Sequence, residues 1–208
     1  MTRPEQHIDE LVAALLDLDT QVLERVSWLL AGAYLTGQTV FVCGNGGSAA
    51  TASHLATDLT KLTTPAGALQ RLKCMALTES ASTITAVGND LSYEDIFLEQ
   101  LRSWMNPGDG VIGISTSGSS RNVLKAIEYA DANGAFTVGI TGSKGAELLR
   151  LARETIVIGS TSVQHIEDVS LVVAHLLVLL TKDKCLEVIG PPESVTASKT
   201  KLGNGEAA

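Results

Sequence analysis

The apolar positions in the first part of the chain recur at helical spacings. They are Ile8, Leu11, Val12, Leu15, Leu16, Val22, Leu23, Val26, Leu29 and Leu30. Steps of three and four residues predict helix over residues 6–35, with a candidate break near residues 17–20. Because the apolar stripe is wide, we expect this N-terminal helix to need packing partners on more than one side.

After this region the pattern changes to five short runs that are apolar throughout, at residues 39–43, 73–77, 111–115, 136–140 and 155–159. Because none of them alternates, we expect strands buried on both faces, as in a parallel sheet covered by helices. Helices are predicted at residues 49–61, 80–87, 92–104, 120–133 and 146–152. This order predicts an α/β fold, a doubly wound five-stranded parallel sheet with an added N-terminal helix.

One more helix is predicted over residues 166–183. It is apolar almost all round, so we expect it to be buried between subunits or against the first helix. Residues 186–208 contain prolines, glycines and small polar residues, which predict a loose C-terminal tail. The sequence therefore predicts one domain over residues 1–185, including the N-terminal helical extension.

Composition narrows the class of protein. Of the 208 residues, 45% are hydrophobic and only 18% are charged, so part of the surface is expected to be hidden in an oligomer. The net charge of −8 argues against a nucleic-acid partner or an anionic membrane. No run reaches the ~18 uninterrupted apolar residues of a membrane span, and the start is too polar for a signal peptide.

The cysteines agree with a cytoplasmic location. Cys43, Cys74 and Cys185 are odd in number and widely spaced. We interpret them as reduced thiols rather than as a disulfide framework or a CxxC metal site.

Two loops that follow predicted strands carry candidate ligand-binding groups. Residues 44–48, GNGGS, open a helix, and their glycines would let backbone N–H groups approach an anion, although a plain tight turn remains open. Residues 115–120, STSGSS, place five hydroxyls in six positions, where one serine would suffice as a helix cap. The second loop suits a phosphate monoester; it lacks the lysine of a nucleotide P-loop.

Two pairs of titratable residues lie on predicted helices. His54 and Asp58 are four apart and share a helix face. Glu167 and His175 are eight apart, roughly 80° around the helix axis. Taken singly, His54 suits a surface residue and His175 a core histidine with a polar partner; together, the four could form a metal site or an acid–base pair.

Several segments resemble the SIS (sugar isomerase) domain family, most closely its bacterial phosphoheptose isomerase branch. They are GNGGSAATASHLATDL, TITAVGND, SYEDIF, ISTSGSSRNVLKAIEYA and the final helix with Glu167 and His175. The resemblance covers about residues 5–185. It implies a flavodoxin-like sheet and a homotetramer with active sites at subunit interfaces. It also implies the interconversion of sedoheptulose 7-phosphate and D-glycero-D-manno-heptose 7-phosphate.

The resemblance also implies roles for individual residues. Phosphate would be held by Ser115, Thr116, Ser117 and Ser120. The sugar would contact Asn45, Gly46, Gly47, Ser48, Asn89, Asp90 and Glu167. A divalent metal, with zinc as first choice, would be held by His54, Asp58, Glu167 and His175.

Two positions depart from the family pattern. Asp58 stands where glutamate is usual, and Glu167 stands where glutamine is usual. We assign Asp58 as the base, His175 as its acid–base partner, and Glu167 as a metal ligand or alternative base. A carboxylate displaced by ~1.5 Å can cost ~100-fold in rate, so another sugar phosphate is also consistent with this site.

Two other classes of function remain open. One is a non-catalytic SIS protein, either a replication-initiator-associating tetramer or a sugar-phosphate sensor. The other is an isomerase of a different heptose, octose or hexose phosphate. The phosphate loop alone fits every alternative, whereas the carboxylate–histidine set favours catalysis.

Overall fold

The computed structural model of this chain describes residues 3–63 and 70–189. The strands are β1 (Thr39–Gly44), β2 (Lys73–Ala76), β3 (Gly110–Ser115), β4 (Phe136–Gly142) and β5 (Glu154–Ile158). The helices are α1 (Pro4–Leu16), α2 (Thr20–Thr36), α3 (Gly47–Leu62), α4 (Ala81–Asp90), α5 (Leu98–Trp104), α6 (Arg121–Ala132), α7 (Ala146–Leu151) and α8 (Val163–Ile189).

The five strands form one parallel sheet in the order β2-β1-β3-β4-β5, which confirms the predicted doubly wound fold. The chain runs from β1 outward to β2 and then returns to β3 on the other side of β1. The strand order therefore reverses between β1 and β3, where ligands bind at the carboxyl ends of the strands in such sheets.

The N-terminal helical region is divided into two helices near residues 17–20, where the sequence predicts a candidate break. Asp19 caps α2, since its Oδ1 accepts a hydrogen bond from the Gln21 backbone N–H at 2.9 Å. A residue in this role adopts an extended conformation and so interrupts the preceding helix. The N-terminal extension is therefore two helices, α1 and α2.

Burial on both faces holds only for the central strands. β1, β3 and β4 are buried almost throughout, whereas the prediction is wrong for β2 and β5. Those two strands lie at the edges of the sheet, where Met75 is 41% exposed and Val157 is 36% exposed. An edge strand lacks a neighbour on one side, so helices cover it less completely.

The single helix predicted over residues 92–104 is also wrong. Ser92 accepts a hydrogen bond from the Glu94 backbone N–H and starts a short 3-10 helix, Tyr93–Asp95. Ile96 and Phe97 then enter the core before α5 begins at Leu98. The serine cap and the two buried side chains break the segment into two short helices.

Helices cover both faces of the sheet. On one face α2, α3 and α8 contribute to one apolar core with side chains such as Leu30, Leu55 and Leu177. On the other face α5, α6 and α7 contribute Leu101, Ile127 and Leu148 to a second core. Helices α3 and α8, which carry candidate site residues, are in contact on the first of these faces.

Helix α8 packs against α2 and α3 and also contacts α1, which confirms the predicted packing against the N-terminal helical region, while burial between subunits stays a prediction. Leu171, Val172 and Leu179 remain exposed on its outer side. By length and composition α8 could cross a membrane. This is weak evidence of a membrane span, because a core helix of a soluble protein passes the same test. The helix continues to Ile189, past the predicted start of the tail, and the remainder of that tail lies outside the described residues.

Candidate active site

The glycine loop between β1 and α3 is shaped for close backbone approach. Gly46 has φ 56° and ψ −123°, a conformation that residues with side chains rarely adopt. A Cβ on Gly47 would collide with the Glu167 carboxylate. Glu167 therefore lies against the first turn of α3, where the positive end of the helix dipole stabilises a carboxylate.

The serine loop, residues 115–120, precedes α6 and presents hydroxyls that do not cap this helix. Ser120 is the N-cap of α6, yet its side chain makes no capping hydrogen bond. Its Oγ instead accepts from Ser115 Oγ at 3.0 Å, and Ser119 Oγ donates to Ser117 Oγ at 3.0 Å. The loop thus keeps a cluster of hydroxyls at the carboxyl end of β3, the arrangement expected of a phosphate site.

A lysine that sequence reasoning missed lies beside this loop. Thr116 and Ser117 line a cavity of about 320 Å³ together with Lys144 and Ser160. Lys144 comes from the turn between β4 and α7. No signal near the serine loop indicated it, because the two segments are adjacent only in the folded sheet.

Three of the four residues predicted to hold a metal come together. His54 Nε2 lies 3.1 Å from Asp58 Oδ2 and 3.0 Å from His175 Nε2. One ligand atom from each of these residues lies within 4.8 Å of the other two. Two imidazole nitrogens and one carboxylate oxygen are a donor set suited to a divalent ion, so this triad could hold one.

The packing of α3 against α8 explains this meeting. Leu55 follows His54 and Ala174 precedes His175, and both apolar residues are fully buried between the helices and the sheet. The two imidazoles are therefore held at the rim of the contact and remain exposed. The alternative of a buried core histidine at His175 is wrong.

Glu167 stands apart from the triad in this chain. Eight residues separate it from His175, which corresponds to about 12 Å along α8. Its carboxylate lies at the glycine loop instead, close to Gly47. The structure therefore places the fourth predicted metal ligand beside the predicted sugar-binding loop.

The remaining predicted sugar contacts fall into two groups. Asn45 exchanges hydrogen bonds with Asn122 of α6 and accepts one from Tyr93. Asn89 and Asp90 lie exposed at the end of α4, where Asn89 Nδ2 donates to Asp90 Oδ1 at 2.7 Å. Asn122 and Tyr93 were missed, although both belong to segments that carry the family resemblance.

The thiol nearest the site does not take part in acid–base or nucleophilic chemistry. Cys43 is fully buried in β1, directly before the glycine loop. Burial raises the pKa of its thiol to about 12, so the thiol stays protonated near neutral pH.

The fold and the site together define a doubly wound α/β protein whose ligand groups gather where the strand order reverses. The family model described as SIS domain matches residues 5–142. The chain belongs to the SIS domain family, as the sequence predicts.

Two relatives of this chain are phosphoheptose isomerases. The phosphoheptose isomerase of Akkermansia muciniphila is 39% identical over 158 residues, which cover 74% of this chain and 81% of that protein. The phosphoheptose isomerase of Rhodospirillum rubrum is 43% identical over 151 residues, 71% of this chain and 77% of that protein. Among solved structures, phosphoheptose isomerase GmhA from Neisseria gonorrhoeae superposes with a TM-score of 0.79 at 25% identity, covering 86% of this chain and 96% of that one.

Proposed function

We propose that this chain is an aldose–ketose isomerase of sugar phosphates that interconverts sedoheptulose 7-phosphate and D-glycero-D-manno-heptose 7-phosphate. The observation that carries the proposal is the triad of His54, Asp58 and His175 in a chain that also carries a hydroxyl-rich loop at the carboxyl end of β3. A protein that only senses a sugar phosphate needs the loop but not the triad. The names of the relatives support the same reaction.

The reaction moves one proton between adjacent carbons. A base removes a proton from C1 of the ketose, the C–H electrons form the C1=C2 bond, and the C2 carbonyl oxygen takes up a proton. The resulting enediol loses its O1 proton while C2 gains a proton, which gives the aldose. The reaction needs one carboxylate for the carbon-bound proton and one group to move the proton between the oxygens.

We assign these two tasks to Asp58 and His175. The Asp58 carboxylate is half-buried and lies in contact with His54, which holds it in place. His175 is on the facing helix, where its imidazole can exchange a proton with a substrate oxygen. Glu167 lies near the glycine loop and remains the alternative base.

The triad also fits a divalent metal, with Zn²⁺ the first choice for two imidazoles and a carboxylate. His54, Asp58 and His175 would hold it, whereas Glu167, the fourth ligand predicted from the sequence, lies at the glycine loop and apart from these three. Such an ion, when bound, supplies Lewis-acid stabilisation of negative charge on a substrate oxygen.

We further propose a cytoplasmic homotetramer with its active sites at subunit interfaces. The triad is exposed in a single chain, whereas enediol chemistry requires exclusion of water. Apolar residues exposed on the same helix, such as Leu171 and Leu179, offer a surface for a second copy. A neighbouring subunit would both cover this surface and close the site.

The identity of the sugar is open to a direct test. Wild-type protein is incubated with ketose phosphates of five to eight carbons, with and without Zn²⁺, and aldose formation is followed by NMR. We expect turnover of sedoheptulose 7-phosphate. Turnover of a different sugar phosphate would indicate that the shorter Asp58 side chain and the Glu167 carboxylate are adapted to that substrate. Binding without turnover of any substrate would favour the non-catalytic alternative.

A further inference from the structure

The side-chain amide of Asn122 has a defined orientation. It is buried in the first turn of α6, at 3% exposure, and its Oδ1 accepts a hydrogen bond from the Val123 backbone N–H at 2.9 Å. Because a backbone N–H can only donate, the accepting atom must be the amide oxygen. The other end of the same side chain is therefore the donor, Nδ2.

This orientation fixes the amide of Asn45 in turn. Asn122 Nδ2 donates to Asn45 Oδ1 at 2.8 Å, and Asn45 Nδ2 donates back to Asn122 Oδ1 at 2.9 Å. Tyr93 Oη donates to the same Asn45 oxygen at 3.0 Å. Both acceptor positions of that oxygen are now occupied, so one N–H of Nδ2 is the only remaining hydrogen-bonding group of the Asn45 side chain.

We infer that Asn122 and Tyr93 are positioning residues that present Asn45 to the substrate solely as a hydrogen-bond donor, aimed at a carbonyl or hydroxyl oxygen of the sugar. This inference rests on the proposed function. A donor suits the oxygen that gains negative charge as the enediol forms, and a preoriented donor requires no rearrangement during the reaction.

The same pair also joins the two ligand-binding loops. Asn45 follows β1 directly, while Asn122 lies two residues after Ser120 of the serine loop. The reciprocal amide pair therefore bridges β1 and β3 at the point where the strand order reverses. It fixes the distance between the group that contacts the sugar and the groups that hold the phosphate.

Asn122→Asp tests the orientation with minimal change of shape. The aspartate keeps an oxygen for the Val123 N–H, but its second oxygen faces Asn45 Oδ1 without a hydrogen between them. We expect kcat/KM for the sugar phosphate to fall about 10- to 100-fold, the range expected for a misplaced reacting geometry. Competitive inhibition by inorganic phosphate should be unchanged, because the serine loop keeps its hydroxyls. A merely structural role would weaken both ligands together.

Two further variants complete the experiment. Tyr93→Phe removes one donor to Asn45 at an exposed side chain and should lower kcat/KM by a smaller factor without affecting folding. Asn133→Asp is the matched control, since Asn133 caps the other end of α6 and its Nδ2 donates to the Tyr129 carbonyl. It should behave as wild type. If Asn122→Asp fails to fold, Tyr93→Phe decides the question.

The outcomes separate this inference from the proposed function. An active wild type with unchanged kcat/KM in Asn122→Asp and Tyr93→Phe overturns the inference alone. So does a parallel loss of phosphate inhibition in Asn122→Asp. A wild type that turns over no sugar phosphate overturns the proposed function, and with it this inference.

Discussion

His54 lies between two partners that compete for its ring nitrogen. Its Nε2 is 3.1 Å from an Asp58 oxygen and 3.0 Å from His175 Nε2. Two imidazole nitrogens at that distance share at most one hydrogen. A divalent ion removes the competition, since both nitrogens and the carboxylate oxygen then act as ligands.

Removal of metal should therefore abolish most activity. We expect turnover to fall after treatment with a chelator and to recover with added Zn²⁺. His54→Ala should weaken Zn²⁺ binding at least about 10-fold in calorimetry, because it removes one of three ligands. His7→Ala, a histidine outside the triad, is the control. Full activity of protein shown to be metal-free by elemental analysis would contradict the metal proposal and leave these residues as acids and bases alone.

The two carboxylates are predicted to differ in their effects. Asp58→Asn removes the proposed base and should lower kcat about 10²- to 10⁴-fold with little change in KM. Glu167→Gln should retain more of kcat, because Glu167 lies at the glycine loop rather than in the triad. Steady-state kinetics of both variants decide the assignment. If Glu167→Gln abolishes turnover and Asp58→Asn does not, Glu167 is the base.

Sequence reasoning identified the triad residues but not all of their surroundings. The spacing of His54 and Asp58 is local, so the sequence places them on one face of α3 without further information. The hydrogen bonds of Asn45 join it to Tyr93 and Asn122, which are 48 and 77 residues away. Lys144 likewise reaches the serine loop only through the sheet. Contacts across such separations depend on the fold and leave no local pattern.

The serine loop forms the N-terminal boundary of α6 and leaves hydroxyl groups available to a ligand. A serine at a helix N-cap commonly uses its side chain to satisfy the first turn, whereas the Ser120 hydroxyl accepts a hydrogen bond from Ser115 instead. The predictions of strands and helices were accurate because the hydrophobic period is local. They were wrong where a local cap, Ser92, divides a predicted helix, and where β2 and β5 lie at the edges of the sheet, which is a tertiary effect.

Ser117→Ala combined with Ser120→Ala should raise KM for a sugar phosphate about 10-fold or more, since each lost hydrogen bond is worth about 1 kcal/mol. The fold should stay intact, because the Ser120 side chain does not cap α6. KM and thermal melting are measured together. Ser103→Ala, an exposed serine on α5, is the control. Unchanged KM, together with a failure of inorganic phosphate to compete in the wild type, would contradict the assignment of this loop.

The described part of the chain, residues 3–63 and 70–189, presents more apolar surface than its own helices cover. Leu171, Val172 and Leu179 are exposed on α8, and Ile8, Val12 and Leu16 are exposed on α1. The triad is open to solvent beside this surface. Assembly would thus bury the apolar helices and enclose the reacting groups at once.

Sedimentation at micromolar concentration should give a homotetramer of about 87 kDa from chains of 21.8 kDa. Leu179→Asp should shift the protein toward smaller species and reduce activity, because a charge in an apolar interface is costly. Leu149→Asp on α7 is a matched control, with 54% exposure against 59% for Leu179. A wild-type monomer of about 22 kDa would contradict both the assembly and the shared site.

The most direct test of the proposed reaction is solvent deuterium incorporation. Wild-type protein is incubated in D₂O with sedoheptulose 7-phosphate and Zn²⁺, and the product is analysed by NMR and mass spectrometry. We predict an aldose phosphate with one deuterium bonded to C2, and formation of this product about 10²- to 10⁴-fold slower with Asp58→Asn. If wild type incorporates no carbon-bound deuterium into any sugar phosphate of five to eight carbons, with or without metal, the isomerase account is contradicted.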